Sequence, residues 1–590
     1  MTGVRGAPAE VGAPAEIGGS AEVLTRPAPL TSTMRLMKPM HAAAALTFAL
    51  AATASAQGTP APLTSHLPAG ALLTLETNGA GPAFDRLTGL IGGVLDSASD
   101  LGGGDLEASG VMLRGFSGVL ADSVGREGVA GVFTVQGKGG SFMPALLAVA
   151  RTGDLSTELF SSFIPKKKGA RVGAYPFVRS GDLFAGQANG LVYLSSDKAL
   201  LMSYLGRLSG KAAPTLAASA PYVQATRAAG RVQLGAYLNF SATAKVIRGQ
   251  FAQFKLPRLL SPAVDALDTL GQVAGGLTTT DAGLNTVSAQ VVNAAGKDRP
   301  LARLLTHTTD FGVQDVIPAD AEAVQATACA PESNAYAARW LTRLDLLEPF
   351  GFLTDSQLAS HLERAGQYLG SECAQVTLAG GTRAGLDSSD PLAALATTVT
   401  YQSVRDRAAA EAHLPEYAGS VNEALAGLRG TLKGTLGDLM KGDMAGMDED
   451  GVAAMMAAGS FDQIDEMLAG LKMVYAFEGD YLITAFSEEA LQAALAGKDA
   501  PLAQDPAFQA AALTLTGSGG WAYQPDPAEL SGDDLLGSLP PEMQDTELNE
   551  TLGPVMDAMA GLVNRYDGMT SQRSVEGNVI IGKANVKYRW

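Results

Sequence analysis

The stretch Leu-Pro-Ala-Gly-Ala at residues 67–71 recurs as Ile-Pro-Ala-Asp-Ala at residues 317–321. Each copy opens an apolar segment of extended character that is followed by a helical one. Four more pairs of similar segments follow in the same order, which indicates an internal repeat. The further pairs are LVYLSSDKAL (191–200) with LITAFSEEAL (482–491), GKAAP (210–214) with GKDAP (497–501), PYVQA (221–225) with PAFQA (506–510), and GLT (276–278) with GMT (568–570).

The spacing of these landmarks predicts two tandem homologous domains of unequal length. The opening motifs lie 250 residues apart, whereas Ser196 and Ser487 lie 291 apart, so the second half contains about 41 additional residues. We place most of this surplus in a helical, Met-rich insertion at about 416–473. The predicted domains are residues 57–310 and 311–590.

Within each half, segments with strand character alternate with segments with helix character. Residues 128–136, 142–150 and 393–401 are typical of strands bounded by glycine and polar turns. Residues 354–369 place leucine and alanine on one face of a helix. Short connections such as residues 478–480 favour antiparallel pairing. We therefore predict an α+β fold in which each domain is an antiparallel sheet with helices packed on one side.

The N-terminal region predicts export. Residues 1–33 form a low-complexity extension rich in Gly, Ala and Pro, and we expect translation to begin at Met34 or Met37. In residues 34–56, two basic residues precede a short apolar run and an Ala-Ser-Ala sequence, as in a signal peptide cleaved after Ala56. No later stretch is apolar for the ~18 residues of a spanning helix. We expect a periplasmic, envelope or secreted protein with no membrane span after cleavage.

The charge balance disfavours polyanionic partners. The chain contains 42 Lys and Arg against 60 Asp and Glu. Four of the basic and three of the acidic residues precede residue 57, which leaves 38 against 57 in the exported part, a net charge of −19. A field of this sign repels nucleic acid and anionic lipid headgroups.

The two cysteines, Cys329 and Cys373, predict one disulfide. An isolated pair in an exported protein is expected to be oxidised, because disulfides persist in oxidising compartments. A site made only of two cysteines would lack ligands for a metal ion.

The repeated Leu-Pro-Ala opening and the strand–Ser–helix element resemble a family of exported bacterial proteins that is described only as a domain of unknown function. The resemblance covers most of residues 60–590 as two copies, and its motifs are short and structural. It implies an envelope location and no particular chemistry.

The sequence Ser195-Ser196-Asp197-Lys198 contains the S-x-x-K pattern of serine β-lactamases and penicillin-binding proteins. A helix N-cap is the structural alternative, and the second half favours it: Ser487 is retained, whereas acidic residues follow it and no lysine does. We predict that Ser196 and Ser487 are helix caps and that neither is catalytic.

Metal-ligating residue types are sparse. His66, His307, His361 and His413 are isolated in the sequence, and we expect His361 to be solvated. We therefore predict no metal site and no cofactor. A methionine cluster offers one alternative: Met440, Met444 and Met447 share a helix face, which suits a core, an apolar contact surface or a soft-metal site for Cu(I).

These observations favour a non-catalytic envelope protein with a structural, scaffolding or binding role, with other envelope proteins or an apolar ligand as partners. One alternative is a periplasmic carrier that holds a lipid or another apolar ligand between sheet and helices. A second alternative is a hydrolase whose site is assembled from residues distant in sequence.

Overall fold

The computed structural model describes most of residues 57–590. The described residues are 62–79, 86, 126–136, 142–152, 160–161, 164, 169–254, 261–344, 357–381, 397–443, 470–525, 529–537, 553, 556–557 and 559–590. The predicted extension and signal peptide, residues 1–33 and 34–56, lie outside this set, so their assignment stays a prediction. No helix among the described residues has the length and apolarity to cross a bilayer.

Eighteen strands and eleven α-helices are formed by the described residues. The strands are β1 Ala71–Asn78, β2 Glu127–Gln136, β3 Phe142–Arg151, β4 Ala170–Val172, β5 Tyr175–Ser180, β6 Leu183–Ala188, β7 Leu191–Ser195, β8 Leu234–Asn239, β9 Gln272–Thr280, β10 Gly283–Val291, β11 Ala323–Ala328, β12 Leu369–Thr377, β13 Thr398–Val404, β14 Val474–Glu478, β15 Tyr481–Ala485, β16 Gly520–Gln524, β17 Tyr566–Glu576 and β18 Val579–Tyr588. The helices are α1 Lys198–Leu208, α2 Ala220–Ala229, α3 Phe240–Phe254, α4 Ser261–Leu270, α5 Arg299–Leu305, α6 Ser333–Leu344, α7 Leu358–Ala365, α8 Arg407–Asp443, α9 Glu488–Ala496, α10 Pro506–Ala512 and α11 Gly532–Gly537.

The strands form one extended antiparallel sheet with helices, so the α+β class predicted from the sequence is confirmed. In the first half β1 pairs with β2 and β8, β2 with β3, β3 with β7, β7 with β6, and β8 with β9. In the second half β11 pairs with β12 and β16, β12 with β13, β13 with β15, β15 with β14, and β16 with β17. Hairpins β9–β10 and β17–β18 end the two series, and β10 pairs with β18.

Each half has a hydrophobic core between strands and helices, and Val579 of β18 also joins the core of the first half. In the first half, Tyr193 of β7 and Leu201 of α1 are fully buried in a cluster that includes Phe133. In the second half, Ile483 of β15 and Tyr401 of β13 are fully buried in a separate cluster. Burying an aliphatic or aromatic side chain of this size contributes about 1.5–3 kcal/mol, so the two clusters hold the helices against the sheet.

The opening motifs make equivalent contacts in the two halves. Pro68 forms an isolated antiparallel bridge with Thr215, and Pro318 forms one with Pro501. An edge-to-face aromatic pair follows in each half, Tyr222–Tyr237 at 4.9 Å and Phe508–Tyr523 at 5.2 Å between ring centroids. Edge-to-face geometry suits the positive ring edge and negative ring face, so these pairs fix α2 and α10 against the sheet.

A strand glutamate caps a 3-10 helix in each half, Glu127 from β2 and Glu372 from β12. The Glu127 carboxylate accepts a hydrogen bond from the Leu63 N–H, at the start of the 3-10 helix Leu63–His66. The Glu372 carboxylate accepts from the N–H groups of Gly312 and Val313 at 2.9 and 2.8 Å. Both carboxylates therefore satisfy backbone donors that the helix itself leaves without partners.

Candidate functional site

The two halves meet where β10 lies beside β18. The two strands are antiparallel, with Gly283 opposite Lys587, Val287 opposite Lys583 and Val291 opposite Val579. Each strand is the second arm of a hairpin with a two-residue turn. The sheet is therefore continuous across this junction, which we call the seam.

One face of the sheet at the seam contains a groove of about 800 Å³. Its lining comes from eight strands, four from each half: β1, β8, β9 and β10, and β11, β16, β17 and β18. A volume of this size lies within the range of small-molecule sites in proteins.

The floor of the groove is a row of small residues paired across neighbouring strands. Ala236 lies opposite Gly275, Gly275 opposite Ser288, and Ser288 opposite Gly582. Side chains alternate between the two faces of a strand, so cross-strand partners point to the same face. A Cβ atom at Gly275 would lie 2.5 Å from the carbonyl oxygen of Val287, so this position requires glycine. These small or absent side chains leave a trough that crosses the strands.

Mainly aliphatic side chains form the walls of this trough, and Thr286 and Gln290 of β10 are its polar members. They stand two residues from the floor on the same strands, and therefore on the same face of the sheet. Leu238 is 38% exposed, although it is a large apolar side chain. The wall residues are Leu234, Leu238, Val273, Leu277 and Ile580.

Beyond Gly582 the floor row continues to a cationic side chain, Arg573. Arg573 lies opposite Gly582 and Gly520, and it lines the groove. Its guanidinium donates to the carbonyl oxygens of Gly519 and Leu305, and burial lowers the pKa of Arg573. Within the described part of the chain, no carboxylate forms an ion pair with it. A positive charge thus lies at one part of a mainly apolar groove.

The helix caps differ from the prediction by one residue in the first half. Asp197, and not Ser196, is the N-cap of α1, because its carboxylate accepts from the Leu200 N–H at 2.7 Å. The Ser196 hydroxyl instead accepts from the Leu146 N–H at 2.9 Å. In the second half Ser487 is the N-cap of α9 and accepts from the Ala490 N–H. The hydroxyls of Ser195 and Ser196 both bond to the backbone of Leu146 in β3, so Asp197 is the residue left to cap the helix.

Ser195, the first residue of the S-x-x-K pattern, is fully buried. Its hydroxyl donates to the Leu146 carbonyl oxygen at 2.6 Å and accepts from the Asp197 N–H at 3.1 Å. The first bond holds the end of β7 against β3 and the second closes the turn that leads into α1, which is a structural use of this serine.

The predicted disulfide is confirmed: Cys329 and Cys373 are bonded, with their Cα atoms 5.8 Å apart. Of the predicted methionine cluster, Met444 and Met447 lie outside the described residues. Met440 lies in the backbone range of α8, and its side chain is also outside the described set.

The interpretation of His361 and His413 as isolated is wrong. The Nδ1 atom of His361 lies 2.9 Å from Nε2 of His413, and Glu416 lies beside them. His361 is half-buried and not fully solvated, and burial, with Arg364 and His361 nearby, lowers the pKa of His413. The two histidines are 52 residues apart, so only the packing of α7 on α8 brings them together. The spacing of His413 and Glu416 on one helix was the signal available in the sequence.

No family model matches the sequence, and no curated protein matches it. Among solved structures, crystal form III of TP0453 is 14% identical, with a TM-score of 0.22, and the match covers 43% of this chain and 91% of that one. Crystal form I of TP0453 is also 14% identical, with a TM-score of 0.23, and the match covers 44% of this chain and 90% of that one.

Proposed function

We propose that this chain is a non-catalytic binding protein of the cell envelope, whose seam groove holds the acyl chain of an apolar ligand. The observation that carries the proposal is the trough of small residues between aliphatic walls. Sites for small molecules are concave and mainly apolar, with a few polar groups that fix orientation.

The shape of the trough supports an elongated ligand. The floor row from Ala236 to Gly582 crosses four strands, which at about 4.8 Å between neighbours is a path of roughly 14 Å. Removing apolar surface from water contributes about 25 cal/mol of free energy per Å². An alkyl chain in the trough would therefore be held by the hydrophobic effect, as the core residues are. Arg573 would face an acidic head group of such a ligand.

The groove lies between two halves of similar construction, which bears on the origin of the chain. We infer that residues 57–310 and 311–590 are two copies of one α+β module. Three features support this inference: the strands pair in the same order in the two halves, Pro68 and Pro318 form equivalent bridges, and a glutamate caps a 3-10 helix in each half. On this interpretation the groove belongs to the junction of the copies, and a single module would contain only half of its lining.

The envelope location is supported by the Cys329–Cys373 bond, because disulfides are stable in oxidising compartments. We also propose, from the sequence pattern, that residues 34–56 are a signal peptide through which the chain is exported. Sequencing the N-terminus of the secreted or periplasmic protein tests it.

Filling the trough tests the function. Replacing Ala236, an exposed floor residue, with tryptophan is expected to weaken binding of a fluorescent fatty acid at least 10-fold, because the indole would occupy the ligand's volume. Titration with the fatty acid, followed by fluorescence, measures the dissociation constant.

Val223→Trp is the matched control for that titration. Val223 is 46% exposed on α2 and does not line the groove, so its replacement adds the same side chain elsewhere. Equal affinities in the two tryptophan variants, or no binding by the unaltered protein, would contradict the proposed function.

A further inference from the structure

We propose that His361, His413 and Glu416 form a zinc-binding site that connects α7 with α8. The site lies away from the seam, and none of its three residues lines the groove. It is therefore independent of the proposed apolar ligand.

Two helices bring the three side chains together. His413 and Glu416 are three residues apart on α8, and side chains at this spacing lie on one face of a helix. His361 comes from α7, which packs on that face. One ligand atom of each residue lies within 4.8 Å of the other two.

The distances suit a tetrahedral ion after a small adjustment. Zinc binds histidine nitrogen at about 2.0–2.1 Å, so two ligand atoms of a tetrahedral site lie roughly 3.3 Å apart. The facing nitrogens of His361 and His413 are 2.9 Å apart, which is slightly closer than this. Separating them by a few tenths of an ångström would admit the ion, and His361, which is only half-buried, is the ligand that would shift.

A neighbouring tyrosine orients the buried ligand. The Nδ1 atom of His413 lies 3.2 Å from the hydroxyl of Tyr368, while Nε2 faces His361. Metal-binding histidines are commonly held in this way, with the second ring nitrogen hydrogen-bonded to a partner. His413 and Tyr368 are both buried, so the ring has one fixed direction.

Arg364 would compete with a zinc ion for the Glu416 carboxylate. It forms an ion pair with Glu416 at 3.2 Å, and the two side chains are 55% and 61% exposed. Ion pairs at this exposure are weak, so zinc can displace the guanidinium into solvent. The exposed side of Glu416 also leaves room for water as a fourth ligand. Two imidazoles and one carboxylate favour zinc over calcium or magnesium, which prefer oxygen ligands.

Equilibrium dialysis of the untagged full chain against zinc chloride, followed by metal analysis, tests the site. We expect one zinc ion per chain, and we expect His361→Ala and Glu416→Gln to weaken binding at least 10-fold. Replacing zinc with cobalt should give the intense visible absorption of a tetrahedral centre, and this absorption should be lost in His361→Ala.

His66→Ala is the matched control, because His66 lies in the first half and should leave zinc binding unchanged. His413 is fully buried and its replacement could prevent folding, so the test depends on the partly exposed His361 and Glu416. Zinc binding of equal strength in His361→Ala and the unaltered protein would overturn the proposal. So would the absence of bound zinc in the unaltered protein, since the two histidines would then only hydrogen-bond to each other.

Discussion

Replacing Glu372 with alanine is expected to lower the free energy of unfolding by about 3–5 kcal/mol, since it breaks a buried network. The carboxylate is 5% exposed and accepts from two backbone N–H groups, those of Gly312 and Val313. Its other oxygen accepts from the Tyr481 hydroxyl at 2.5 Å. Each buried donor left without a partner costs about 1–3 kcal/mol. Urea denaturation, followed by circular dichroism, measures the loss.

Two further variants make this prediction specific. Glu372→Gln retains an acceptor oxygen and should recover more than half of the stability lost in the alanine variant. Glu363→Ala removes an exposed glutamate and should change the unfolding free energy by less than about 0.5 kcal/mol. A Glu372→Ala variant as stable as Glu363→Ala would show that the 3-10 helix at Val313–Asp315 does not depend on this carboxylate.

Replacing both Cys329 and Cys373 with serine is expected to cost about 4 kcal/mol on the chain-entropy account of disulfides. The bond closes a loop between residues 44 apart in the sequence, and it joins the end of β11 to β12 around α6 and α7. Without it the unfolded chain gains freedom, and the folded sheet loses a restraint on two neighbouring strands. Comparing the urea midpoints of the oxidised protein and the double variant measures the effect.

A reducing agent provides the control for the disulfide. It should shift the midpoint of the unaltered protein to that of the double variant, and it should leave the double variant unchanged. Equal midpoints for the oxidised protein and the double variant would contradict this expectation.

Local pattern was sufficient to predict the class of fold and several strands. The predicted strands at 128–136 and 142–150 correspond to β2 Glu127–Gln136 and β3 Phe142–Arg151. These segments are apolar, bounded by glycine and polar residues, and buried in the core, so their local and tertiary preferences agree. The predicted helix at 354–369 ends earlier, at Ala365, and β12 begins at Leu369. The residues at which helices and strands begin and end depend on tertiary packing, which the local sequence pattern does not specify.

The candidate sites depend on contacts between distant parts of the chain. The groove floor brings Ala236 and Gly582 to one row, and only the strand register across the seam places them there. Each residue by itself is an ordinary small residue in a strand. The histidine pair has the same origin, since α7 and α8 lie on either side of β12 and β13 in the sequence. Glu127 and Glu372 were missed because no repeated motif surrounds them.

Photocross-linking is the most direct measurement of where an apolar ligand lies. A fatty acid with a photoactivatable group on its alkyl chain would be bound to the full chain, irradiated, and located by peptide mass spectrometry. We expect cross-links on strands β8, β9, β10 and β18, and their loss in Ala236→Trp. Cross-links confined to other surfaces, or unchanged labelling of the seam in Ala236→Trp, would contradict the proposed ligand site.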